Sequence, residues 1–222
     1  MKGGNYSWLV LAILLLLIGI PVAEEIDAIS RPLSRAIAFS GLLGIGVLSL
    51  KGKGLLYYSV LVVVTLGILL NVAAASTTQA FAIFGSFAAI MTFLLMAIVV
   101  TFRNIATDRE VSANRIVGAI AVYLLLGVLW AVAYTVVDLI WPNSFTAIDA
   151  GTGSEWNSKW LYYSFVTMTT LGYGDVSPQT PVAQLLAYMQ AIFGQFYIAI
   201  LVAGLVGAYI SNKDRSNDTR SE

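Results

Sequence analysis

An all-α membrane protein, with six transmembrane helices and a shorter helix entering partway between the fifth and sixth, is the fold class this sequence predicts. Three observations predict it. Of 222 residues, 59% are hydrophobic and 11% charged, with a mean hydropathy of +0.84. A soluble domain of this length has no core large enough for that much apolar surface. Long apolar runs recur along the chain, separated by short polar or charged connections. One run, from Lys159 to about Thr169, is too short to cross: at ~1.5 Å per residue it reaches only about 16 Å, half of a bilayer's apolar thickness. A helix that goes halfway in must come back, so it is re-entrant.

The same composition excludes several function classes. Formal net charge is zero, which gives no reason to expect a nucleic-acid partner. There is no cysteine, hence no disulfide and no thiolate metal site. There is no histidine, which removes the usual base, the usual metal ligand and the usual physiological-pH switch. An enzyme is not expected.

Taken in order, the first apolar run spans about Trp8 to Ala23, with Pro21 near its outer end. It reads as a retained transmembrane helix, because further spans follow and no small-x-small cleavage site leads into a soluble domain. Glu24-Glu25-Ile26-Asp27 opens a polar connection, either a solvated loop or an outer divalent or proton site. Ser30 is a candidate N-cap and Pro32 falls in the first turn of the second span, which ends near Leu50. Gly41, Gly44 and Gly46 there suit close helix packing in lipid. After the positive turn Lys51-Gly52-Lys53-Gly54, the third span runs from Leu55 to about Ala75. Ser76-Thr77-Thr78 caps the fourth, which continues to Phe102. A charged connection from Arg103 to Arg115 precedes the fifth span, Ile116 to about Trp141, where Pro142-Asn143 ends it and Asp138 is expected at the interface. A polar segment through Gly151-Thr152-Gly153-Ser154 leads to Asn157 or Ser158 as cap of the re-entrant helix. The sixth span runs from Pro181 or Val182 to Ile210, and a polar tail follows. Residues 1–115 thus form a four-helix transmembrane domain, 116–210 a second module, and 211–222 a short tail.

Orientation follows from the basic residues. With the N-terminus inside, Lys2, Lys51, Lys53, Arg103, Arg109, Arg115, Lys213, Arg215 and Arg220 are cytoplasmic, against Arg31, Arg35 and Lys159 outside. That is the positive-inside bias, and it places both termini in the cytoplasm of a multi-pass cell-membrane protein. It also puts the re-entrant segment on the outer face.

The stretch that ends this segment is Thr167-Met168-Thr169-Thr170-Leu171-Gly172-Tyr173-Gly174-Asp175. A dehydrated cation needs a cage of oxygens, and backbone carbonyls are a dense neutral source. For neighbouring carbonyls to face one way, the chain must alternate between right- and left-handed conformations, which glycine does without steric cost. Gly172 and Gly174 stand at alternate positions, and Thr170 offers a hydroxyl at the inner end. Irregular backbone at membrane depth is tolerated only where it is buried in protein or lines a water-filled path. One chain supplies one wall, so a closed ring needs several copies.

At these residues the chain resembles the potassium channel family, whose filter usually reads Thr-Val-Gly-Tyr-Gly-Asp. The resemblance covers about Trp156 to Ile210. It implies a homotetramer, with three identical subunits as partners beside the lipid bilayer, and K+ ions held by Thr170, Leu171, Gly172, Tyr173 and Gly174, with no organic cofactor. Leu171 replaces the usual valine, a swap of little consequence if the side chain points into surrounding protein. Tyr173 between the glycines goes with potassium selectivity in the family, where an acidic residue goes with non-selective cation flow. Thr169, Asp175, Tyr162, Tyr163 and Thr167 are implied as filter support. Tyr162-Tyr163 stands where the family often has Trp-Trp, and the alternative is a pair of interfacial aromatics. Asp175 either hydrogen-bonds back to the pore helix or concentrates cations. Val166 stands where some relatives carry glutamate, so no carboxyl pair is expected behind the filter. Gly194 matches the family's inner-helix hinge, with close packing the alternative. Gln195, Ile198, Val202 and Val206, at i, i+3, i+7 and i+11, are expected to line the inner cavity.

A voltage sensor is not expected: the fourth span has no charged residue from Ala80 to Phe102. Each gating charge contributes only ~2.3 kcal/mol per 100 mV, so an uncharged span cannot respond steeply. The alternatives are a subunit of a potassium uptake transporter, which usually carries four imperfect filters in one chain, and a weakly selective cation channel. A non-conducting scaffold sits poorly with an intact filter.

Overall fold

A computed structural model describes residues 6–26, 62, 64–70, 80–107, 113–146 and 158–218. Five long elements are helical: α1 (Ser7–Glu25), α2 (Ala80–Thr107), α3 (Ala113–Ile140), α4 (Ser158–Met168) and α5 (Pro181–Asp218). Residues 64–70 are also helical, within the expected third span. The second span, the Ser76-Thr77-Thr78 cap, Asn157 and Asp27 lie outside the described residues. Four helices are long and apolar enough to cross a membrane, over Ser7–Glu25, Phe81–Ile105, Asn114–Ile140 and Pro181–Gly204. The chain is therefore an all-helical, multi-pass membrane protein. Among the described residues no strand forms beyond one isolated antiparallel bridge, Phe145 with Pro178.

The expected connection Arg103–Arg115 is shorter than the sequence reading has it, since α2 continues to Thr107 and α3 begins at Ala113, and the bounds differ at two further places. α1 runs through Pro21 to Glu25 instead of ending at Ala23, because Ala23, Glu24 and Glu25 are good helix formers and no glycine stops it. The Ile26 N–H then bonds the Val22 carbonyl at 3.2 Å. α5 continues to Asp218, past Ile210, since no glycine or proline follows Gly207 to break it.

α3 is the hub. α1, α2, α4 and α5 all pack against it, and it contributes the fully buried Ala121, Leu125, Val128, Ala131, Val132 and Tyr134. α1 offers one stripe, Leu9, Ile13, Leu16 and Ile20, while Trp8, Leu15 and Ile18 on its other side stay bare. α2 offers Phe87, Ile90, Phe93, Leu94 and Ala97. Gly118 and Gly127 let neighbours approach α3. A Cβ at Gly118 would lie 2.9 Å from the Tyr6 ring, and one at Gly127 would lie 2.4 Å from the Phe165 ring.

The C-terminal end of α3 is tied to the segment that follows Asp175. Asn143 turns the chain at φ 64°, and Ser144 donates its N–H to Asp138 Oδ1 at 3.0 Å. Asp138, expected at the interface, is buried and holds this turn. Thr146 and Ser177 exchange backbone and side-chain bonds at 2.9–3.0 Å, and Gln179 N–H bonds the Ser144 carbonyl at 2.8 Å. This staple fixes where the chain leaves the filter. Asp138→Ala strands the buried Ser144 N–H, an expected loss of about 1–3 kcal/mol, whereas Asp138→Asn keeps an acceptor and loses less. Thermal melting of the purified protein in lipid nanodiscs measures both.

Candidate functional site

The site begins with how α4 ends. The Leu171 N–H bonds the Val166 carbonyl at 3.0 Å, and the Thr170 N–H bonds the Thr167 carbonyl at 3.0 Å. These are the two bonds of a Schellman C-cap, with Thr170 at the position usually held by glycine. Thr170 adopts φ 58°, an outlier for a β-branched residue that costs about 1–2 kcal/mol. Gly172 at φ 57° and Gly174 at φ 80° follow, while Leu171 and Tyr173 keep negative φ. The left-handed positions are thus 170, 172 and 174: the expected alternation, begun one step earlier than the glycines alone indicate. A chain that alternates hand in this way presents successive carbonyl oxygens to one side.

The filter's other ties are few. Gly172 N–H also reaches the Val166 carbonyl at 3.3 Å. The Tyr162 hydroxyl donates to Asp175 Oδ2 at 2.7 Å, so of the two expected roles for Asp175 the bond back to α4 is the one formed. Thr169 returns its hydroxyl to the Phe165 carbonyl at 2.7 Å. Residues 169–175 are all exposed on the isolated chain, and Leu171 is 54% and Tyr173 66% exposed. The sequence reading places the Leu171 side chain in surrounding protein; among the described residues nothing covers it.

The two adjacent tyrosines divide the work. Tyr162 faces the filter's outer end. Tyr163 turns the other way, into a buried cluster with Tyr134, Phe145 and Trp160 whose ring centroids lie 4.9–5.4 Å apart. Tyr163 takes part in the packing between α4 and α3, because neighbouring helix positions point about 100° apart. Thr167, half-buried, shares a hydrogen bond with Tyr163.

Behind α4 lies a polar network that the sequence reading missed. The Gln190 amide of α5 donates to the Ser164 carbonyl at 3.0 Å and to its hydroxyl at 2.7 Å. Ser164 passes its own hydrogen to the Gly127 carbonyl at 2.6 Å, and the Tyr134 hydroxyl donates to Gln190 Oε1 at 2.5 Å. All three side chains are fully buried and each amide atom of Gln190 has a partner. A glutamine in an apolar span was the available signal; Gln195 drew attention instead, and it is exposed. Ile198 and Val202 are exposed too, but so are Phe193, Phe196 and Ile200, so α5 is bare on several sides of one chain. The Val206 side chain lies outside the described residues.

Gly194 is buried at the contact between α5 and the end of α4. A Cβ there would come within 2.6 Å of the Met168 carbonyl oxygen and 3.0 Å of Met168 Cγ. α5 passes through Gly194 without interruption. Among the described residues no group of three or more His, Cys, Asp or Glu is placed to hold a metal. Glu24 is engaged elsewhere, accepting bonds from Ser158.

Comparison with known proteins gives a family match and several relatives. Residues 119–211 match the family model described as "Ion channel". A two pore potassium channel c from Oryza sativa subsp. japonica is 33% identical over 84 residues, 38% of this chain and 16% of that protein. Two-pore potassium channel 2 from Arabidopsis thaliana is 31% identical over 100 residues, 45% of this chain and 20% of that protein. Two-pore potassium channel 5 from the same plant is 44% identical over 46 residues, 21% and 11% respectively. The chain thus matches a fifth or less of these relatives' length. No solved structure matches.

Two outcomes follow from the site. The Tyr162 bond holds the Asp175 carboxyl below the usual carboxylate range, and the same bond pushes Tyr162 up to about 12. The pair needs Asp175 ionised and Tyr162 protonated. Its contribution is complete above the unfolded carboxyl value near ~3.9 and is lost as pH falls through the depressed folded value. On the alkaline side it is complete below ~10 and lost as pH rises through about 12. Melting temperature against pH should show Tyr162→Phe below wild type near neutral pH and converging on it as Asp175 protonates in acid; a difference that persists unchanged in acid contradicts the pairing. Second, Gly194→Ala gains up to about 1 kcal/mol of helix propensity but drives a Cβ into backbone. A net loss of about 1–3 kcal/mol is expected by denaturant titration, and a net gain contradicts the close contact.

Proposed function

We propose that this chain, whose residues 119–211 are an ion-channel pore domain distantly homologous to those of plant two-pore potassium channels, is one of four identical subunits of a potassium-selective channel. The observation that carries the reading is the left-handed alternation at Thr170, Gly172 and Gly174, within a Thr-Leu-Gly-Tyr-Gly-Asp run, at the end of a helix too short to cross. Four such segments around one axis would stack rings of carbonyl oxygens, with the Thr170 hydroxyls at the inner end, in place of the water around K+. Leu171 and Tyr173 would then be covered by neighbouring subunits, and the bare sides of α5 by lipid and by other copies.

α4 serves the same end. Its carbonyl terminus carries roughly half a negative charge, and four termini aimed at a wet cavity stabilise a cation before it enters. Gln195, Ile198, Val202 and Val206 would face that cavity, and Gly194 would serve as the place where α5 bends, if it bends. In the positive-inside orientation Asp175 stands at the extracellular mouth. A voltage sensor has no counterpart in α2, which is uncharged from Ala80 to Phe102. The chain carries a single complete filter motif, which favours a channel over a potassium uptake transporter.

Purified protein in planar bilayers under K+/Na+ gradients tests the reading. The expected reversal potential reports at least about tenfold preference for K+, equivalent to ~1.4 kcal/mol, and open probability varies only weakly with voltage. Gly172→Ala, which forces a Cβ onto a left-handed residue, should abolish selective current while the protein still reaches the membrane. Equal permeability of the wild type to Na+ and K+, or a steep conductance–voltage curve, would sink the corresponding part.

A further inference from the structure

We propose that Glu24 is a positioning residue for the filter: carried on the first span, its carboxylate caps α4 at Ser158 and so fixes where Thr170–Gly174 come to rest. The proposal rests on the channel reading above. Both carboxylate oxygens accept the Ser158 N–H, at 3.1 and 3.0 Å, and one also accepts the Ser158 hydroxyl. Ser158 opens α4, so its N–H is among the four that a helix leaves unpaired. Its own side chain gives its hydrogen to Glu24. The cap is thus supplied from 134 positions upstream.

Glu24 is aimed there by the pattern of α1. Leu9, Ile13, Leu16 and Ile20 form the buried stripe against α3 and α4, and position 24 continues it one turn further on. Glu25, one step around the helix, is exposed. Of two adjacent carboxylates, only the one on the buried stripe meets the pore helix.

Displacement at one end of α4 has nowhere to dissipate. The helix has 11 residues, and at its far end the Met168 carbonyl lies against Gly194 with no room for a single added carbon. Phe165 fills the space over Gly127. A shift at Ser158 therefore passes to Thr169 and Thr170, where the left-handed alternation begins. The matched ion-channel module starts at residue 119, so the filter's support includes a residue from outside it.

Full-length protein in lipid nanodiscs and planar bilayers tests this with two readouts: hydrogen exchange of amides 158–161, and the fraction of time the channel conducts K+. Glu24→Ala should speed exchange about fivefold, the equivalent of one typical helix cap, and lower the conducting fraction by a similar factor. Glu24→Gln, which keeps an acceptor, should do less, and Glu25→Gln should match wild type. The double variant E24A/S158A should be no worse than E24A. Unchanged exchange and conduction in E24A overturn the proposal, as does an equal effect of E25Q, which would mark a general surface-charge effect. If E24A does not reach the membrane, E24Q against E25Q decides by the same criteria. A wild type that passes no K+ removes the channel reading alone, and the exchange readout then decides the cap.

Discussion

A helix must satisfy the polar groups at its own ends, and in the 11 residues of α4 neither end is far from the other. Each end group left unpaired away from water costs about 1–3 kcal/mol, so the ends of α4 constrain what packs around them. At the outer end, Ser158 is met by Glu24. At the inner end, the Val166 carbonyl takes two N–H groups and the Thr167 carbonyl a third. The bonds that terminate the helix are the same bonds that set Thr170 left-handed and launch the alternation. The cap of α4 and the start of the alternating segment are thus made by the same bonds.

Strain at Thr170, about 1–2 kcal/mol, persists because the surroundings over-determine it. Each hydrogen bond contributes only about 0.5–1.5 kcal/mol net, but breaking one here leaves a buried group unpaired at about 1–3 kcal/mol. Gln190, Ser164 and Tyr134 bind α5, α4 and α3 through such bonds, with no spare donor on the glutamine amide. The aromatic cluster of Tyr134, Phe145, Trp160 and Tyr163 fills the space beside them, and Tyr134 belongs to both. Behind α4 the polar groups of this network are thus paired and packed, while residues 169–175 are bare on the isolated chain. That asymmetry suits a wall that is fixed to its own subunit and completed by others.

Much of this was legible in the residues. A motif of two glycines with a threonine before them carries its backbone requirement on its face, and the spans declare themselves by length and apolarity. What escaped were pairings between distant segments. Glu24 reads as a loop residue until α1 is known to continue past Pro21; then its place on the buried stripe is plain. Gln190 and Gln195 look alike in an apolar helix, and only the position of Ser164 decides which is buried. Tyr162 and Tyr163 are adjacent letters with opposite destinations, because a helix turns about 100° between them. Gly194 stood out as a glycine, but its contact with the Met168 carbonyl required knowing where α4 ends.

The division among the outer spans now has a physical basis. Among the described helices α2 packs on α3 alone, with Leu70 of the preceding helical segment against Gly85. A membrane potential does work only on charge, and α2 has none from Ala80 to Phe102. α1, by contrast, packs on α3 and reaches α4 as well. Among the described helices α2 reaches α4 only by way of α3, which is joined to α4 and α5 by the bonds of Tyr134, Gln190 and Ser164. α1 meets α4 directly, and at that contact the Glu24 carboxylate accepts the bonds of Ser158. Of the two described long helices that precede α3, the first and not the second is in direct contact with α4.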